Sequence, residues 1–258
     1  MIKRDEIIKF IYQTIGKELM AKALAKDEVA NGVQWLGQEE VKKVALGVSA
    51  NEEFLLAAVK AGAQFCIFHH GLDTRVWKSR YPLFAQKRLK VIVANKLTVV
   101  GLHYALDSHP QIGNNAVIIR ELGAKIKEPL FEDWGYTAEL SQLQPIEQIK
   151  ASCEKLFNHK VFAVETGPKL IKTIGVVSGR GTPEMAEIAE METKGVELYV
   201  SGETNEWVIH QMQESQINYF CGGHYATEVF GIRELGKIIK TNFKDQLEVE
   251  FIDIPNEI

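Results

Sequence analysis

The stretch Gln64-Phe-Cys-Ile-Phe-His69-His70-Gly71 constrains this chain more than any other. Four largely apolar residues, Phe65 to Phe68, run straight into two histidines, and Gly71 lets the chain turn at once. The run predicts a short buried strand. Its exit presents two imidazoles where α/β proteins place their sites. Neighbouring side chains of a regular strand point to opposite faces. His69 and His70 therefore share a site only where the strand has just ended, or if they reach two different metal ions. A pair of solvated loop histidines is the competing reading of this stretch alone.

A length of 258 residues allows one large domain or two modest ones, either long enough to bury a core. The net charge of -4 leaves no basic excess, so nucleic acid is not indicated, nor is binding to an anionic membrane by charge. No apolar stretch reaches the roughly 18 residues of a spanning helix. The N-terminus alternates charges and leads into an amphipathic pattern rather than a signal peptide. Cys66, Cys153 and Cys221 are odd in number and far apart, as reduced thiols of a cytoplasmic protein would be.

Helical spacing predicts an amphipathic helix from Asp5 to about Lys26, followed by a loop over Asn31 to Gly37. Val41 to Ser49 reads as a strand, and Asn51 as the cap of a helix that Gly62 ends. With the strand into His69-His70 this makes a β-α-β unit. A helix opens near Pro82, and Leu97 to Gly101 is a strand that delivers His103 and Asp107 into a loop. Further on, Lys172 to Ser178, a helix ending at Gly195, and a strand into Ser201-Gly202-Glu203 repeat the first unit. Coincidence among short β-α-β units is the alternative to a true repeat. A strand from Ile217 to Cys221 then leads through Gly222-Gly223 to a long helix beginning near His224. The reading is an α/β fold of two related halves, with mixed sheets flanked by helices. Residues 1–126 plus 222–258 are expected to form a metal-site domain, with 127–221 an inserted second α/β domain.

His224 and Glu228 are four apart and share one helical face. Such a pair can bite one metal or serve two. A polar first turn is the other reading, though Glu228 lies past that turn. His103 and Asp107 are also four apart. Three strand exits thus supply six ligand-type side chains without a thiolate. That set suits zinc, iron, manganese or nickel. It exceeds one tetrahedral site, so two divalent metal ions are plausible, with Glu228 or Asp107 as a candidate bridge. Ser178-Gly-Arg-Gly-Thr182 is either a tight turn or an anion site built from backbone N–H groups and Arg180.

The order of these motifs resembles the Nif-three-like family, proteins with a dinuclear metal centre often labelled GTP cyclohydrolase 1 type 2 homologues. Asn31-Gly-Val-Gln34, Phe68-His-His-Gly71, His103-Tyr-Ala-Leu-Asp107 and Gly223-His-Tyr-Ala-Thr-Glu228 carry the likeness across nearly the whole chain. The resemblance implies metal ligands at His69, His70, Asp107, His224 and Glu228, with His103 beside them. It also implies a toroidal homo-hexamer whose sites face an internal cavity. Two departures stand out: Gly71 where the family usually has proline, and Gly202-Glu203 where it usually has Gly-Asp followed closely by histidine.

The expected function is metal-dependent hydrolysis of a small molecule, nucleotide-like or phosphate-containing, with His103 as general base or orienter. A non-catalytic, metal-dependent binding or regulatory scaffold is the competing expectation.

Overall fold

Val44 to Val48, Phe65 to His69 and Thr98 to Leu102 are buried residue after residue. Strands covered on both faces need helices above and below, which parallel β-α-β connections supply. The computed structural model describes residues 1–27, 30–73, 75–76 and 78–256. The chain divides into two compact units, Met1–His109 with Gly231–Ile254, and Pro110–Phe230 with a few C-terminal residues.

In chain order the first unit contains β1 (Ile2–Lys3), α1 (Arg4–Ile15), α2 (Lys17–Lys26), β2 (Asn31–Trp35), β3 (Glu40–Val41), β4 (Lys43–Ser49), α3 (Glu52–Lys60), β5 (Phe65–His70), α4 (Leu83–Ala94), β6 (Thr98–Leu102) and α5 (His103–Asp107). The second contains α6 (Asn114–Glu121), β7 (Ala124–Leu130), β8 (Gly135–Pro145), α7 (Ile146–Phe157), β9 (Phe162–Val164), β10 (Leu170–Val177), α8 (Met185–Thr193), β11 (Leu198–Ser201), α9 (Glu206–Glu214) and β12 (Asn218–Cys221). Then follow α10 (His224–Phe243) and β13 (Glu248–Phe251), which returns to the first sheet.

The first sheet has the order β13-β4-β5-β6-β2, parallel except for β2, which runs antiparallel to β6. The second has the order β7-β8-β10-β11-β12-β9, with a parallel centre of β10, β11 and β12 and antiparallel strands outside it. Both sheets are thus mixed and flanked by helices. Their centres share one plan: β4-α3-β5-α4-β6 matches β10-α8-β11-α9-β12. In the first unit α3 and α4 cover one face of the sheet through Phe54, Leu55, Ala58 and Ile92. Phe54 stands edge-on to Phe68, centroids 4.6 Å apart, and so anchors the end of β5 just before the histidines. In the second unit α8 and α9 cover one face with Ile188, Met191, Val208 and Met212, while α6 and α7 cover the other with Ile118, Ile149 and Phe157.

Local differences from the sequence reading have physical causes. The Asp5–Lys26 helix is two helices, broken at Gly16, whose φ of 91° and ψ of 141° lie outside the helical region. Asn31 to Trp35 is a strand, not a loop, paired antiparallel to β6. His103 to Asp107 is a short helix, capped at Ala105 N by the Asn31 Oδ1 atom, 3.1 Å away. The cap at Asn51 is as expected: its Oδ1 accepts from Phe54 N at 2.8 Å. All three cysteines are buried and free. Among the described residues no helix is long and apolar enough to cross a membrane.

Candidate metal centre

In the first unit β5 and β6 run parallel with Phe68 opposite Gly101, so their exits are neighbours. His69 and His70 close β5, and His103 opens α5 directly after β6. The three rings form a triangle, with centroids 4.7 Å (His69–His70), 4.9 Å (His69–His103) and 5.3 Å (His70–His103) apart. Each offers a ring nitrogen, and these lie within 4.8 Å of one another. Strand alternation does not separate His69 from His70, because β5 ends at His70. Asp107, one turn along α5, brings its Oδ1 to 3.6 Å from His69 Nε2. His69 and Asp107 are both buried.

The other nitrogen of each ring is engaged by the protein. His69 Nδ1 lies 3.3 Å from Leu102 O, His103 Nδ1 2.6 Å from Asp27 Oδ2, and His70 Nδ1 3.1 Å from Ser49 Oγ. A backbone carbonyl and a carboxylate can only accept. In His69 and His103, therefore, Nδ1 carries the hydrogen and Nε2 keeps the lone pair. This is how proteins orient metal-binding histidines. The Asp27 carboxyl is held below its usual range, chiefly by the hydrogen bond from His103.

The segment Asn31 to Gln34 supports this arrangement. Asn31 Nδ2 donates to Asp27 O at 2.8 Å and to Asp27 Oδ2 at 3.2 Å, while its Oδ1 caps α5. One buried amide thus ties the orienting carboxylate to the helix that carries His103. Gln34 clamps Leu72, its Nε2 donating to Leu72 O at 3.0 Å and its Oε1 accepting from Leu72 N at 2.8 Å. A Cβ at Gly71 would stand 2.1 Å from that Oε1. Glycine in place of proline therefore fits this chain's Gln34. Asp27, His70, Gly71, Asp73, Arg75 and His103 line a cleft of about 290 Å³.

In the second unit the exits of β11 and β12 are likewise adjacent, with Ser201 opposite Cys221. Glu203 follows the first and His224 the second. Glu203 Oε1 hydrogen-bonds His224 Nδ1, so here too a carboxylate fixes the hydrogen on Nδ1. His224 Nε2 then faces Glu228 Oε2 at 3.2 Å. Two ligands bound at about 2.0–2.2 Å to one ion stand about 3–3.5 Å apart, so this spacing suits a shared cation. Burial alone would lower the His224 pKa; Glu228 and Glu203 overcome it and raise it to about 9. The donor set fits divalent cations: imidazoles of fixed tautomer and buried carboxylates, with no thiolate.

The two units also present their residues alike. His103-Tyr-Ala-Leu-Asp107 follows β6, and His224-Tyr-Ala-Thr-Glu228 follows the equivalent β12. Each histidine opens a helix, has an acid four residues on, and has its Nδ1 held by a carboxylate from elsewhere, Asp27 or Glu203. The shared His-Tyr-Ala signal is legible in the sequence. Asp27 is not, since it lies 76 positions from His103.

Comparisons with known proteins agree over the whole chain. The family profile described as Duf34/NIF3 (NGG1p interacting factor 3) matches residues 3–257. A protein of Escherichia coli K12 named "GTP cyclohydrolase 1 type 2 homolog" is 34% identical over 95% of this chain and 96% of its own. One of the same name from Archaeoglobus fulgidus is 32% identical over 90% and 92%. Among solved structures, one titled as protein ybgI of unknown function superposes with a TM-score of 0.85 at 31% identity, covering all of both chains. A protein from Thermus thermophilus superposes at 0.84 with 26% identity, again over both full chains.

Proposed function

Because the chain belongs to the Duf34/NIF3 family, we propose that it holds two divalent metal ions and hydrolyses a small nucleotide-like or phosphate-containing molecule. The proposed ligands are His69, His70, Asp107, His224 and Glu228. His103 is proposed as the general base or orienting group beside them. The observation that carries the reading is the tautomer pattern. His69, His103 and His224 each give Nδ1–H to an oxygen that can only accept, which leaves Nε2 for a metal or a proton.

When bound, a pair of divalent cations lowers the pKa of water and polarises an electrophile. The protein's part is separable. Asp27 holds the His103 ring so that Nε2 can take a proton, and it stabilises the charged ring that results. The cleft of about 290 Å³ bounded by His70 and His103 is large enough for a ring or a phosphate ester. The names of the relatives support a purine nucleotide such as GTP as the first substrate to try. A cytoplasmic homo-hexamer is part of the same proposal.

The test is metal content per chain in protein purified without added metal, followed by a substrate screen. About two ions in the wild type, lost together in His70→Ala with Glu228→Ala, is the expected result. Little or no metal after reloading with zinc, manganese or iron would overturn the reading. Given metal, Glu228→Gln should keep its fold and lose turnover.

A further inference from the structure

The loop Ser178-Gly-Arg-Gly-Thr182 leaves β10 in the second unit, and no step of the proposed hydrolysis uses it. It is fixed on both sides of its arginine. Ser178 N donates to Asn115 Oδ1 at 2.7 Å and Gly179 N to Thr227 Oγ1 at 2.9 Å. Gly179 O accepts from Gly202 N at 3.1 Å, and Gly181 O accepts from the Tyr199 hydroxyl at 2.5 Å. The loop is thus tied to α6, α10 and the strand exit next door.

The same loop lies against the His224–Glu228 pair. Gly179 has a φ of +60°, and a Cβ built there would sit 1.8 Å from Glu228 Oε1 and 3.2 Å from His224 Nε2. Only a bare backbone fits this approach. The next residue, Arg180, is exposed, and among the described residues it makes no hydrogen bond or ion pair. A guanidinium is therefore presented by a fixed loop one residue from a paired imidazole and carboxylate. The N–H groups of Ser178 and Gly179 are already spent, so neither is open to an anion. The exposed Arg180 side chain is the charged donor that this loop offers an anion.

We propose that Arg180 anchors an oxyanion, a phosphoryl or carboxylate group, of the molecule handled beside His224 and Glu228. The planar guanidinium fork matches either group through two parallel hydrogen bonds, which an ammonium cannot reproduce. The proposal rests on the metal-site reading for its location, since the molecule it anchors is the one that site would act upon. It adds the substrate's charge and the residue that reads it.

The experiment compares wild type, Arg180→Gln and Arg180→Lys, with metal content measured on each sample. Inorganic phosphate and, separately, acetate are titrated by calorimetry. Phosphate or acetate should bind the wild type and bind Arg180→Gln at least roughly tenfold more weakly, with Arg180→Lys between them. Metal content and thermal midpoint should not change, because the side chain is exposed. The arm that loses more on substitution identifies the group recognised. Equal affinity, within about twofold, in wild type and Arg180→Gln overturns the proposal, as does the absence of binding by the wild type. If the wild type takes up no metal, the proposed hydrolase falls. The same comparison on the metal-free chain still decides Arg180, with a loss in the glutamine variant upholding it and no loss overturning it.

Discussion

A carboxylate on Nδ1 does two things to an imidazole: it fixes which nitrogen carries the hydrogen, and it makes the other nitrogen more basic. Asp27 does this for His103 and Glu203 for His224. Outer partners of this kind typically carry 10–100-fold in metal affinity. Glu203→Gln, behind the proposed ligand His224, should weaken metal binding by about that factor while leaving the ligand side chains in place, measured by competition with a chelator; Asp27→Asn, behind the proposed general base His103, should lower turnover and leave metal content unchanged. His224 also sets a pH dependence in metal-free protein. Its folded pKa is about 9 against 6.5 for an ordinary histidine, because Glu228 and Glu203 outweigh burial. The folded state therefore binds the proton more tightly than the unfolded chain. The resulting stability is fully present below about pH 6.5 and lost as pH rises through about 9, on the order of 3 kcal/mol. The thermal midpoint of the metal-free protein should fall across that window, and less so in Glu203→Gln; a flat profile would remove His224 as the cause. The histidines themselves were legible, since they stand at the ends of apolar runs. Asp27 was not, because nothing in local spacing links a carboxylate at the end of α2 to a histidine 76 positions away.

Each unit crosses twice from helix to parallel strand, and each crossing ends its helix the same way. Gly62 N bonds Val59 O at 3.0 Å and Ala63 N bonds Ala58 O at 2.9 Å; Gly195 and Val196 repeat this on Glu192 O at 3.1 Å and Met191 O at 3.0 Å. The second crossing of each unit uses Lys96 (φ 50°) and Gln216 (φ 54°) in place of glycine. The paired ends give predictions of opposite sign. Gly62 and Gly195 have φ of +81° and +66° and nothing within 4 Å of a built Cβ, so alanine meets backbone strain and no clash. Gly62→Ala and Gly195→Ala should each cost about 1 kcal/mol. Lys96→Gly and Gln216→Gly should be neutral or stabilise by up to about 1 kcal/mol. Chemical denaturation reads both; a gain from alanine would refute the shared cap. The long parallel strands and their helices were visible in the sequence because burial on both faces leaves continuous apolar runs. What escaped was short or polar by necessity. Helix α5 has five residues, too few to show a period. Strand β2 places Asn31 and Gln34 where hydrogen bonds need them, which hides its alternation. Strand β7 contains Pro129, tolerated because β7 is the edge of its sheet.

At the scale of the whole molecule, two helices of the first unit leave large apolar side chains exposed. In the first unit Leu56 on α3 is 53% exposed, and Leu83, Phe84 and Val93 on α4 are 68%, 46% and 54% exposed. The sequence showed these positions as part of helical runs but not which side would remain uncovered, since an apolar residue reads the same facing a core or a partner. Scattered single apolar residues on a surface need no explanation, but several on two neighbouring helices are a candidate interaction face. The proposed homo-hexamer gives that face an occupant, a second copy of the chain. Six chains of 29.0 kDa would have a mass of 6 × 29.0, about 174 kDa. Sedimentation or light scattering should find that mass in the wild type and a smaller one in Leu83→Asp with Phe84→Asp, because burying a carboxylate without a partner costs several kcal/mol per copy. The two substituted side chains are exposed in the isolated chain, so its own fold should survive, as circular dichroism would show. A wild type that sediments at 29.0 kDa would remove the hexamer. A hexamer untouched by both charges would place its contacts on another face.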